Sequence, residues 1–158
     1  MQTDFPFASV RSLTFKQRPR LVSANLRPLY RVTLLLLVLR LNCSRGTASL
    51  LKLQFFNWML KSDEVRDYVR SLSKTQSVFT LNIVHMDPMV NLALRYAFAE
   101  GLVRVTTQTK YGLTDKGRHF ADVFLESDDA LLTSEREFLV HMGTAISEVK
   151  IQQDLGVT

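Results

Sequence analysis

The chain has 158 residues, 46% hydrophobic and 22% charged, the size and make-up of one compact globular domain, which excludes collagen-like, low-complexity and solenoid architectures. Its one cysteine, Cys43, can form neither an intramolecular disulfide nor a multi-thiolate metal site, so nothing points to secretion or a zinc module and a cytoplasmic protein is expected. The net charge of +5 conceals a division: residues 1–61 hold ten Lys/Arg against Asp4 alone, residues 62–158 hold ten against fourteen acids, and the two parts carry +9 and −4.

Such a basic half attracts nucleic acid or an acidic protein. Residues 1–26 mix Phe5, Phe7 and Phe15 with Arg11, Lys16, Arg18 and Arg20, lack a helical period and a signal-peptide apolar stretch, and read as an arm that orders against a partner. Residues 27–158 read as the folded domain. Pro28 opens a first helix over about 28–41, whose apolar run Val32–Leu39 is far too short to span a bilayer, which takes about 20 residues. A second helix over about 47–60 is apolar nearly all round, apart from a narrow strip at Ser49 and Lys52, so part of it is expected to meet another subunit. Ser62, Asp63 and Glu64 start a third helix to about residue 73, with Val65, Tyr68, Val69 and Leu72 as its inward face.

Residues 74–86 alternate as a short strand or extended segment, and Asp87-Pro88 opens a helix that Gly101 ends. The period then changes to two. Residues 102–114 form a hairpin with Gln108-Thr109-Lys110 at its tip, Thr114 caps a helix over 115–126, and Ser134 with Glu137 forms a capping box for a last helix over 134–153 carrying Phe138, Met142, Ala145, Ile146 and Val149 on one stripe. The fold class is mainly α with a small β-hairpin wing.

Catalysis finds no support. His85, His119 and His141 are far apart, without ligand partners at metal-binding spacing, and no phosphate-loop, dinucleotide or nucleophile-elbow motif occurs. Cys43 lacks a recognisable base and reads as a buried thiol, and Asp128-Asp129 as a solvated linker. No cofactor, metal, membrane or small-molecule substrate is expected.

The order helix, Glu100-Gly101-Leu102-Val103, polar hairpin, Tyr111-Gly112-Leu113-Thr114-Asp115-Lys116-Gly117, helix resembles the second half of a winged helix-turn-helix domain. A wider pattern covers most of the chain from residue 27. Arg27-Pro28-Leu29-Tyr30-Arg31, Ser44-Arg45-Gly46 with Ser49-Leu50-Leu51-Lys52-Leu53, Asn57-Trp58, Asp87-Pro88 through Leu94, Glu135-Arg136-Glu137-Phe138-Leu139 and Ile146-Ser147-Glu148 resemble the small middle component of ABC three-component systems, a group that includes the small subunit of Lamassu-type anti-phage defence complexes. The resemblance implies a non-catalytic adaptor between a coiled-coil ATPase similar to structural-maintenance-of-chromosomes and Rad50 proteins and an effector, often a nuclease.

On that reading Phe5, Phe7, Phe15, Arg27, Tyr30, Leu51, Phe55 and Trp58 are the expected partner contacts. The helix before the wing offers only Asn91 and Arg95 as strongly polar groups, which disfavours base readout; with Arg104 and Lys110 of the wing they are the expected DNA-backbone contacts, made through the complex. The alternative is a winged-helix transcriptional regulator.

Overall fold

The computed structural model describes residues 27–73, 86–106, 109–127 and 132–154. They form seven helices, α1 (Pro28–Leu41), α2 (Leu50–Met59), α3 (Asp63–Ser73), α4 (Pro88–Ala99), α5 (Asp115–Glu126), α6 (Thr133–Met142) and α7 (Glu148–Asp154), with three short strands, β1 (Thr47–Ala48), β2 (Val103–Val105) and β3 (Tyr111–Leu113). The strands make one antiparallel sheet in the order β1-β3-β2, with Thr47 opposite Gly112 and Arg104 opposite Gly112 on the other side. No helix among the described residues is long and apolar enough to cross a membrane. The expected arm 1–26, residues 74–85 of the expected strand or extended segment, His85, Gln108 of the hairpin tip and Asp128-Asp129 lie outside the described residues.

A helix buried all round needs neighbours on every side, and α1 has them. Val32 through Leu39 are all buried, and α2, α4, α5, α6 and β3 surround the helix. Thr33, the polar residue in that run, returns its hydroxyl to the Leu29 carbonyl at 2.9 Å, which removes the cost of burying it. At the far end Asn42 is fully buried and donates from its amide to the carbonyls of Leu139 (2.9 Å) and Gly143 (2.7 Å), fastening α6 beneath α1.

The fold itself covers most of the apolar surface of α2. Leu53, Phe55, Phe56 and Met59 are buried within the chain itself, and Leu50, Leu51 and Trp58 pack half-buried against the same core. Nor is its polar strip a solvent face. Lys52 is buried and gives its ammonium to the Ile146 carbonyl at 2.8 Å; Gln54, fully buried, donates to the Asp87 carbonyl (3.1 Å) and accepts from the Asp87 N–H (2.9 Å). The polar groups of α2 are therefore clamps that seat other elements on it, consistent with the rule that buried polar atoms are paired.

Two more elements differ from their sequence patterns. In α3, Val69 faces inward as expected, but Tyr68 is exposed and the buried position is taken by Arg66, which hydrogen bonds to the Leu60 carbonyl at 2.9 Å. The expected last helix is two. Gly143 adopts φ +48 and breaks it; Ser147 then accepts from the Lys150 N–H to restart it as α7. Ser134 is not a cap, because Leu132 occupies the N-cap in a left-handed conformation and the Ser134 hydroxyl instead meets Asp63 (3.1 Å) and Arg66 (3.2 Å). The break turns Val149 out to solvent and buries Ile151. Glu148 holds α7 in place by accepting from the Ser49 N–H (2.7 Å) and hydroxyl (2.5 Å) at the start of α2.

Candidate functional site

The surface that brings together two of the expected contact residues, Asn91 and Arg95, lies between α4 and the β2–β3 hairpin. The start of α4 is fixed by Asp87, whose carboxylate accepts from the Met89 N–H at 2.8 Å while Pro88 occupies the first turn. Asp87 is also 3.3 Å from the Arg31 guanidinium and accepts from the Asn57 amide, which in turn accepts from Arg31. Burial works against the charge on Asp87, but the Met89 N–H, the Asn57 amide and Arg31 together outweigh it and hold the carboxyl below its ordinary range. Replacing Asp87 with Ala is expected to cost about 1–2 kcal/mol in urea unfolding at pH 7, the usual penalty for a lost N-cap. Because the folded-state carboxyl is the stronger acid, the stabilisation is present at neutral pH and is lost as pH falls through its lowered value, so the difference from wild type should shrink in acid.

Val90, Ala93, Leu94 and Ala97 of α4 recur at helical spacing and pack on α1, which leaves Asn91, Arg95, Tyr96 and Phe98 pointing outward. Gly101, at φ +67, ends the helix, and the Leu102 N–H returns to the Ala97 carbonyl at 2.8 Å. The chain then enters β2. In the hairpin Val105 pairs with Tyr111 and Arg104 with Gly112, so alternation puts Val105 and Tyr111 on the face toward α4 and Arg104 on the opposite face. The result is an open groove of about 410 Å³ lined by Asn91, Leu94, Arg95, Phe98, Val105 and Tyr111.

The four expected DNA contacts are thus divided. Asn91 and Arg95 share the groove, Arg104 stands on the other side of the hairpin, and Lys110, half-buried, lies where the Thr106 N–H bonds to the Lys110 carbonyl at 2.7 Å. The expected partner contacts are divided more widely. Arg27 is exposed at the N-cap of α1. Tyr30 is half-buried and donates to Glu135 at 2.9 Å, and burial together with the Glu135 charge pushes its hydroxyl up to about 12. Leu51 and Trp58 are half-buried. Phe55 is 1% exposed, with the Trp58 ring 6.1 Å away, so as a docking residue it is corrected to a core residue. Phe5, Phe7 and Phe15 are outside the described residues.

Leu94, Phe98, Val105 and Tyr111 are the groove residues missing from the sequence-based set. The spacing of Asn91, Leu94, Arg95 and Phe98 along one helix face was the signal available for Leu94 and Phe98; Val105 and Tyr111 required the strand register. Cys43 is buried, and desolvation raises its thiol to about 11, which keeps it a protonated, unreactive core group. No cluster of three or more His, Cys, Asp or Glu side chains able to hold a metal is found among the described residues. In comparisons with known proteins, the chain matches no family model, no curated protein and no solved structure.

Proposed function

We propose that the chain is a non-catalytic adaptor subunit built on a winged helix, bridging a coiled-coil ATPase similar to structural-maintenance-of-chromosomes and Rad50 proteins and an effector, a nuclease in the simplest case, in a cytoplasmic anti-phage or anti-plasmid defence complex. The winged-helix reading is supported by the element order: α1, the short β1, α2 and α4 with α3 inserted between them, then the β2–β3 hairpin, with β3 central in the sheet. In this reading α4 stands where a DNA-reading helix would enter the major groove.

The observation that carries the adaptor role is the outward face of α4. It shows Tyr96 and Phe98, 47% and 59% exposed, with only Asn91 and Arg95 as polar reading groups. A base-reading helix presents donors and acceptors to base edges, whereas exposed aromatics flanked by a few charges suit a protein interface. Affinity purification of the tagged full chain from its native host tests this. On the adaptor reading, a coiled-coil ATPase and an effector should co-purify with it in fixed ratio. A chain that behaves as a free monomer or dimer and binds one defined operator sequence would establish the regulator reading instead.

A further inference from the structure

The groove between α4 and the hairpin has chemistry specific enough to define its occupant. Asn91, Leu94, Arg95 and Phe98 follow the i, i+3, i+4, i+7 spacing of a single helix stripe, and Val105 and Tyr111 form the facing wall. Leu94 is a buried floor, while Phe98 and Val105 leave more than half of their surface open. Arg95 lies among these apolar groups and forms no ion pair with an acid among the described residues. Among the described residues, no acidic side chain lines the groove.

We infer that this groove docks an acidic amphipathic helix from a partner subunit, with apolar residues one turn apart seated against Leu94, Phe98, Val105 and Tyr111 and a carboxylate paired with Arg95. The inference rests on the adaptor reading and names the chemistry of the partner. A helix laid in an apolar groove is anchored at one-turn spacing, and a guanidinium–carboxylate pair fixes its register. Other occupants fit less well. A second copy joined by a two-fold axis through the groove brings Arg95 against its own equivalent. The segment 1–26 carries Arg11, Lys16, Arg18 and Arg20 against Asp4 and is repelled by Arg95. Duplex DNA satisfies Asn91 and Arg95 but sets Phe98 and Val105 against a phosphate backbone.

The test uses the complex purified from the native host, with the photo-crosslinker p-benzoylphenylalanine in place of Val105. Irradiation should join the chain to a partner peptide of net negative charge. Arg95→Glu and Phe98→Asp should each lower partner recovery about tenfold, the scale of losing one interface anchor, and changing the crosslinked acid to Arg should restore recovery with Arg95→Glu. Val140→Asp, at a position equally exposed on α6 (60%), should leave recovery unchanged, and thermal melts should show all three variants folded. Crosslinks to a basic segment, to DNA or to a second copy of the chain overturn the inference, as does full partner recovery with both groove variants. That last result leaves the adaptor reading standing; failure of the wild-type chain to recover any partner overturns the adaptor reading and the groove assignment together.

Discussion

Gly117→Ala should be the most damaging addition of a single methyl group to this protein. Gly117 lies in the first turn of α5, where a Cβ would stand 2.0 Å from the Leu102 carbonyl oxygen and 2.9 Å from its carbon. Both are backbone atoms that cannot rotate away. The Leu102 carbonyl is already committed, accepting from the Thr114 N–H and hydroxyl, each at 3.1 Å, while the Thr114 hydroxyl also donates to Gly101 and accepts from the Gly117 N–H. The methyl therefore either pries α5 from the base of the hairpin or breaks the cap that starts it. Overpacking of this kind costs about 3 kcal/mol, or roughly 10 °C in Tm for a chain of this size. Differential scanning calorimetry checks it, and a shift of under 2 °C would show that the helix start yields easily. The groove should suffer with the fold, since β2 and β3 are held by the same contact.

Arg66→Ala should rank beside it. The Arg66 side chain is 5% exposed and ties three elements together: it donates to the Leu60 carbonyl, to Asp63 at 2.5 Å and to Ser134 at 3.2 Å, and it lies 3.8 Å from Glu135, which also accepts from Tyr30. Removing the guanidinium leaves Glu135, largely buried, without its cation and the Leu60 carbonyl without a donor. Breaking one side of a buried ion pair costs about 3–5 kcal/mol, and the partial exposure of Glu135 puts the expected loss at the lower end, about 3 kcal/mol. The double variant Arg66→Met with Glu135→Gln should recover much of that loss, because neither residue then leaves an unpaired charge. Urea unfolding of the wild type, Arg66→Met, Glu135→Gln and the double variant measures the coupling. Additive losses would mean that the 3.8 Å pair contributes nothing and that Arg66 acts through its hydrogen bonds alone.

Consequences for the docking surface follow from where these two residues lie. Gly117 supports the hairpin wall of the groove, whereas Arg66 fastens α3 to α6 and takes no part in lining it. Mild destabilisation at Arg66 is therefore expected to leave the charge preference of the groove intact, which separates loss of fold from loss of recognition in any co-purification experiment.

Local chemistry made much of this fold readable from the residues alone. Pro28, Asp87-Pro88, Gly101 and Thr114 start or stop elements through their own φ preferences and side-chain bonds, and α1, α4 and α5 begin and end within a residue of the predicted bounds. Such signals involve neighbours in sequence, so no tertiary context was needed. Coverage is different. The apolar surface of α2 suggested a missing subunit, but whether an apolar helix is covered depends on what packs over it, and here Lys52 and Gln54 use buried hydrogen bonds to bring α7 and α4 onto that helix. The stripe from Phe138 to Val149 suggested one helix, but the docking of Glu148 on Ser49 and of Lys52 on Ile146 favours a break at Gly143 over continued intrahelical bonds. Asn91, Arg95, Arg104 and Lys110 were legible as polar positions, yet strand alternation sends Arg104 away from α4 and brings Val105 and Tyr111 to it. The sequence thus determined where α1, α4 and α5 begin and end; which side chains share a surface was decided by the tertiary structure, because register and helix packing set side-chain neighbours across distances that local propensity does not reach.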